Sequence, residues 1–159
     1  MEKQTRSSYD AVRKFHLKSV RSACYAPFVS LYFTSMGNVI ACCKNETFVL
    51  GNVANQSLKE IWRGPRTKLL RESLIQYRFE TGCEFCEWQI TEGNFRPAFP
   101  SLFEDFPVQT NDPEWPLQIE FAGSNTCNFE CIMCDGKLSS SIRSHREGLP
   151  PLQIGRAHV

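Results

Sequence analysis

No apolar run in this sequence approaches the roughly 20 residues that a membrane-spanning helix needs, so a membrane span is not expected. The opening stretch, MEKQTRSSYDAVRKF, lacks the apolar segment of a secretory signal peptide, and a cytoplasmic protein is expected. Charge of one sign is missing as well. Lys and Arg number 18 against 17 Asp and Glu, with no basic stripe, which argues against nucleic acid as a partner. Internal repeats are absent, and the serine run at 139–141 is too short to be low-complexity sequence. His16 stands alone and reads as a surface or packing residue; His145 lies in the charged stretch 143–147, which reads as a solvated helix face.

What is present is enough for a core: 42% apolar residues, with 12 Phe, 4 Tyr and 3 Trp. A length of 159 residues allows one ordinary domain or two small ones. Eight cysteines are then the feature that needs a reason. A reducing compartment makes a disulfide framework a poor explanation, so metal ligation or redox chemistry comes first. The cysteines form a dispersed set (Cys24, Cys42, Cys43, Cys83, Cys86) and a tight set (Cys127, Cys131, Cys134).

Residues 9–20 suggest a short helix with Val12, Phe15 and Leu17 on one side. FVSLYFT (28–34) and VIACC (39–43) read as a β-hairpin around Gly37 and Asn38, either of which tolerates positive φ. FVLGNVANQ (48–56) reads as a short strand and turn. Ser57 and Glu60 form a capping-box pattern for a helix carrying Leu58, Ile61 and Trp62, broken at Gly64-Pro65. A second helix, 66–77, places Leu69, Leu70 and Leu74 on one face and leads to the C-x2-C of Cys83 and Cys86. Residues 91–116 hold five prolines and little periodicity, and read as a linker. LQIEF (117–121) is a strand, and the cysteine triplet follows it.

The triplet is spaced C-x3-C-x2-C. Structural zinc normally takes four ligands in pairs. A cubane [4Fe–4S] cluster normally takes four thiolates, so three leave one iron free for a small molecule. The strand LQIEF followed by Cys127, Cys131 and Cys134 resembles the radical SAM enzymes. The resemblance implies that these three cysteines hold a [4Fe–4S] cluster in the loop after the first strand of a (β/α) barrel. S-adenosyl-L-methionine would chelate the fourth iron and be cleaved reductively, yielding a 5′-deoxyadenosyl radical that abstracts hydrogen from a substrate. It also implies a reductant such as flavodoxin or ferredoxin, and an oxidoreductase-type chemistry. Many members carry an aromatic residue before the last cysteine, near the adenine; here Met133 takes that place, with a thioether able to pack there.

The dispersed set reads C-x12-G-x4-C for Cys24, Gly37 and Cys42, then Cys83-x2-Cys86. With GNVIACC, the GNV-x3-SLKEIW stretch and Leu70-Arg71, this resembles the SPASM and twitch auxiliary-cluster domains. The full SPASM pattern adds three more cysteines after C-x2-C, and residues 87–115 hold none. The resemblance therefore implies one auxiliary [4Fe–4S] cluster on Cys24, Cys42, Cys83 and Cys86, in electron relay or structural support. Cys43 is the spare thiol, on the opposite face of the strand and the other candidate for the place of Cys42.

These readings imply an α+β chain. A segment 1–21 precedes a hairpin-plus-helices auxiliary domain (22–90), a Pro-rich linker (91–114) and the first βα unit of a radical SAM barrel (115–153). The auxiliary domain comes first, where most relatives place it last. The last residues, Ile154 to Val159 (IGRAHV), match the translation of a common sequencing adapter and read as a non-native tail on a shortened gene. The glycine-rich segment and ribose contacts of the family have no counterpart, so the chain by itself is not expected to be catalytically competent. Residues 115–153 are expected to pack poorly alone, and 22–90 to fold around metal. The substrate, small molecule or peptide, is not legible. Two other readings stay open: a structural zinc-binding module, and a small two-cluster electron-transfer protein.

Overall fold

The computed structural model describes residues 2–152; the Ile154–Val159 tail lies outside them. Helix α1 spans Lys3–Asp10, α2 Ala26–Val29, α3 Leu58–Trp62, α4 Pro65–Ile75 and α5 Glu84–Thr91. Strands β1 (Ser30–Phe33), β2 (Asn38–Ile40), β3 (Gly51–Asn52) and β4 (Gln118–Phe121) form one sheet in the order β3-β2-β1-β4. The class is α+β. Among the described residues no helix is long and apolar enough to cross a membrane.

The hairpin forms as the alternation of residues predicts. Tyr32 faces Ile40 and Phe33 faces Val39 in antiparallel register, and Gly37 takes φ +79° in the turn. The first strand starts later than expected. Pro27, with its fixed φ, suits the first turn of a helix, so Ala26–Val29 coil before the chain extends at Ser30. Leu31, Val39 and Ala41 turn into the core against Ile61, Trp62, Leu70, Leu74 and Ile90.

The capping box is present: Ser57 Oγ accepts the Glu60 amide at 3.3 Å and the Glu60 carboxylate accepts the Ser57 amide at 2.7 Å. Ser57→Ala is expected to cost about 1 kcal/mol, read as a lower urea midpoint with an unchanged m-value. Glu60→Gln, which keeps an acceptor, is expected to cost less. An unshifted Ser57→Ala midpoint would mean that the cap adds nothing.

Helix α4 corrects one face assignment. Thr67, Leu70, Arg71 and Leu74 are buried, and Leu69 is 46% exposed. The inward stripe follows the 3–4 residue spacing from Thr67, and it includes a charged residue. Arg71 tolerates this because its Nε donates to the Pro27 carbonyl at 2.9 Å, its guanidinium reaches Asp112 at 3.1 Å, and its plane lies 4.4 Å from the Trp62 ring. Burial lowers its pKa to about 10, with Asp112 acting in the opposite sense.

The N-terminal helix also lies elsewhere than the sequence suggested. It covers Lys3–Asp10, and residues 11–20 hold a single 3-10 turn, Phe15–Leu17. The steps of three and then two between Val12, Phe15 and Leu17 do not repeat at helical spacing, and Val12 is 40% exposed. Tyr9 supplies the buried contact instead, donating to the Ala23 carbonyl at 2.9 Å.

Residues 91–114 are a packed strap rather than a free linker. Ala98, Phe103 and Val108 belong to the core, and Phe95, Phe99 and Phe106 pack against it. Prolines removed the periodicity that signals secondary structure, but the phenylalanines still had apolar area to bury. Arg13 pairs with Glu104, both almost wholly buried, and Lys18 bridges to Val108. The auxiliary unit therefore draws core residues from both flanks of 22–90.

Strand β4 runs parallel to β1, from Ser30↔Gln118 to Phe33↔Phe121. The expectation that residues 115–153 pack poorly alone is met in part by the open edge of β1, which gives β4 a parallel neighbour. Phe33 and Phe121 stack at 4.8 Å. Even so, Phe121 remains 72% exposed, because pairing satisfies the backbone without covering the face.

Candidate metal centre

Four cysteines from three separate segments line one cavity. Cys24 precedes α2, Cys42 follows β2, Cys83 stands at the N-cap of α5, and Cys86 lies in its first turn. The rest of the wall is apolar: Ala26, Pro27, Ala41, Leu70, Leu74, Phe79 and Phe99, with Asn45 as the polar member. The hairpin and the capped α3–α4 pair set this arrangement. They carry the chain from Cys42 back to Cys83 beside Cys24. Cys43 lines a different cavity with Tyr32, Glu46 and Lys137, so Cys42 is the member of the pair that faces the other three.

Burial pushes the Cys42 thiol up to about 11 and those of Cys83 and Cys86 up to about 12; Cys24 is raised well above the ordinary range by burial, then by Cys42 and Cys86. Cys42 acts on the other three. Among the described residues lining the cavity there is no Lys, Arg or His; Lys44, outside the lining, lowers the Cys86 pKa against the larger effect of burial. Such a donor set is neutral without metal and becomes four thiolates only against a cationic centre.

Hydrogen-bond donors already point at the sulfurs. The Ala26 amide lies 3.4 Å from Cys24 Sγ. The Lys44 and Asn45 amides lower the Cys42 pKa, against the larger effect of burial. The Asn45 side-chain amide donates to the Thr81 carbonyl at 2.8 Å and to Cys83 Sγ at 3.3 Å. Its Oδ1 is buried without a partner, a cost of about 1–3 kcal/mol borne by this arrangement. Gly82 closes over the amide at φ +80°; a Cβ there would lie 2.9 Å from Asn45 Nδ2 and 2.9 Å from Thr47 Oγ1.

The donor chemistry fits an iron–sulfur group. Among the described residues no group of three or more His, Cys, Asp or Glu is already arranged to hold a metal ion.

A pH dependence follows for the metal-free chain. The folded thiols titrate above their unfolded value near 9, up to about 12. Their contribution to stability is complete below pH 9 and is lost as pH rises from there toward 12. The urea midpoint is expected to fall between pH 8 and pH 10.5. A flat profile would mean that the thiols are as hydrated folded as unfolded.

The triplet occupies the loop between β4 and the π-helical turn Ile142–Arg146. Cys127 and Cys134 are half-buried and Cys131 is exposed. Ile132 and Met133 are 93% and 90% exposed, so among the described residues Met133 is left almost uncovered. The serine run has a role that composition did not reveal. The Ser140 hydroxyl donates to the Cys127 carbonyl at 3.0 Å, the Ser141 amide reaches the same oxygen at 3.3 Å, and the Ser139 hydroxyl lies between the Phe129 and Cys127 carbonyls at 2.6 and 3.0 Å. Glu147 accepts the Gly136 amide at 2.8 Å and ties the far end of the loop. His145 Nδ1 lies 2.8 Å from Glu130.

Sequence reasoning missed Asn45 and Gly82. Their signals were short: a polar residue just after a Cys-Cys pair, and a glycine directly before a C-x2-C.

No curated protein and no solved structure matches the chain. Residues 24–87 match the family model of SPASM, an iron–sulfur cluster-binding domain. That span opens on Cys24 and closes one residue past Cys86, so all four cavity cysteines fall inside it. Over this stretch the chain is similar to a domain that binds iron–sulfur clusters.

Proposed function

We propose that this chain carries the cluster-binding portion of a radical SAM enzyme. Cys127, Cys131 and Cys134 would hold the [4Fe–4S] cluster that binds S-adenosyl-L-methionine, and Cys24, Cys42, Cys83 and Cys86 one auxiliary [4Fe–4S] cluster. The observation that carries the reading is the convergence of those four thiols on one apolar cavity inside the SPASM-like span. When bound, a cluster with one open iron supplies the single electron that cleaves S-adenosyl-L-methionine.

The chain's own residues set the terms of that chemistry. Pairing of β4 with β1 fixes where the triplet loop starts. Ser139 to Ser141 and Glu147 hold the loop backbone. The apolar wall around the auxiliary site excludes water and keeps it a closed four-thiolate site with no position for substrate. That suits electron relay or structural support.

Zinc is the second reading, because four cysteines ending in C-x2-C suit it. Anaerobic reconstitution with iron and sulfide tests both. About eight irons per chain are expected if each set holds four. Cys127/Cys131/Cys134→Ala and Cys24/Cys42/Cys83→Ala are each expected to lose about half. Stoichiometric zinc without labile sulfide would sink the proposal.

A further inference from the structure

We infer that Asn45 sets the reduction potential of the auxiliary site by donating an N–H···S hydrogen bond to Cys83. The inference rests on the iron–sulfur reading of the four-cysteine cavity. Asn45 is 1% exposed and, among the described residues, is the only polar non-cysteine residue lining that cavity. Both hydrogens of its side-chain amide are committed, one to the Thr81 carbonyl at 2.8 Å and one to Cys83 Sγ at 3.3 Å. The orientation is determined: turning the amide over would set Oδ1 against the Thr81 oxygen. Thr81-Gly82-Cys83 wraps the group, and the absence of a Cβ at Gly82 makes room for it.

A donor kept in place while its own carbonyl goes unpartnered points to a task beyond packing. Reduction adds an electron whose charge spreads onto the ligand sulfurs. A fixed N–H aimed at one sulfur stabilises that charge and raises the potential. Asn45 is thus a positioning residue acting through Cys83.

The test uses the full chain with Cys127, Cys131 and Cys134 replaced by Ala, so that one cluster signal remains. Reduction by dithionite is followed by electron paramagnetic resonance against applied potential. Asn45→Leu removes the donor, and Asn45→Asp replaces it with an acceptor. Both are expected to keep the parent's iron and labile sulfide. At a fixed potential Asn45→Leu is expected to be about tenfold less reduced, about 59 mV for a one-electron couple, and Asn45→Asp less reduced still.

Full iron with an unchanged potential would overturn the inference and leave the iron–sulfur reading standing. No labile sulfide in the parent would overturn both. Should the variants fail to load, the parent decides. Asparagine labelled with nitrogen-15 only at the side-chain amide is expected to give a weak coupling in pulsed resonance of the reduced cluster. Absence of that coupling would overturn the assignment.

Discussion

Loading the four-cysteine cavity with iron and sulfide is expected to raise the melting temperature by at least about 10 °C. A structural metal site can add on the order of 10 kcal/mol. For a chain of this size each kcal/mol moves the midpoint by about 2–4 °C, so a quarter to a half of that contribution suffices. The rise should vanish in Cys86→Ala, which removes a buried ligand from the first turn of α5. It should persist in Cys43→Ala, whose thiol lines the other cavity. A Cys43→Ala that loses the rise, with Cys42→Ala keeping it, would exchange the two residues' roles.

Glu104→Ala is expected to destabilise the chain by about 3–5 kcal/mol, because it leaves a buried guanidinium without its partner. The Arg13 and Glu104 side chains are only 3% and 6% exposed. Arg13 also donates to the Ala23 carbonyl at 2.8 Å and lies over the Tyr9 and Tyr25 rings at 4.7 and 5.1 Å. It therefore has nowhere hydrated to go. The double change Arg13→Met with Glu104→Leu is expected to recover most of the loss, since apolar replacement of a buried pair is often neutral. Denaturant midpoints check both. A Glu104→Ala loss below about 0.5 kcal/mol, the size of an ordinary surface change, would mean that the strap is held by its phenylalanines alone.

These two outcomes probe parts of the molecule that differ in how far sequence reached them. The capping box at Ser57, the hairpin turn at Gly37 and the strand before the triplet were all legible, because each depends on residues within a few positions of one another. The strap at 91–114 was not. Its prolines erase periodicity, and its packing depends on Arg13 and on a core built elsewhere. Leu69 was placed on the wrong face because three leucines outweighed Arg71, whose burial depends on the distant Pro27 carbonyl and Asp112. The serine run looked uninformative because its partner, the Cys127 carbonyl, lies more than ten residues away.

By itself the sequence displayed two groupings of thiols: three at C-x3-C-x2-C after a strand, and four more spaced as in auxiliary-cluster domains. Spacing is a local property of the chain, and thiol chemistry goes with the residue type. Only the tertiary structure decided that Cys42 and not Cys43 faces Cys24, Cys83 and Cys86, that Asn45 reaches Cys83, and that β4 pairs with β1. Each of these joins segments far apart in sequence. Such contacts are selected by burial of the whole core and by satisfaction of its polar groups, which no local pattern records.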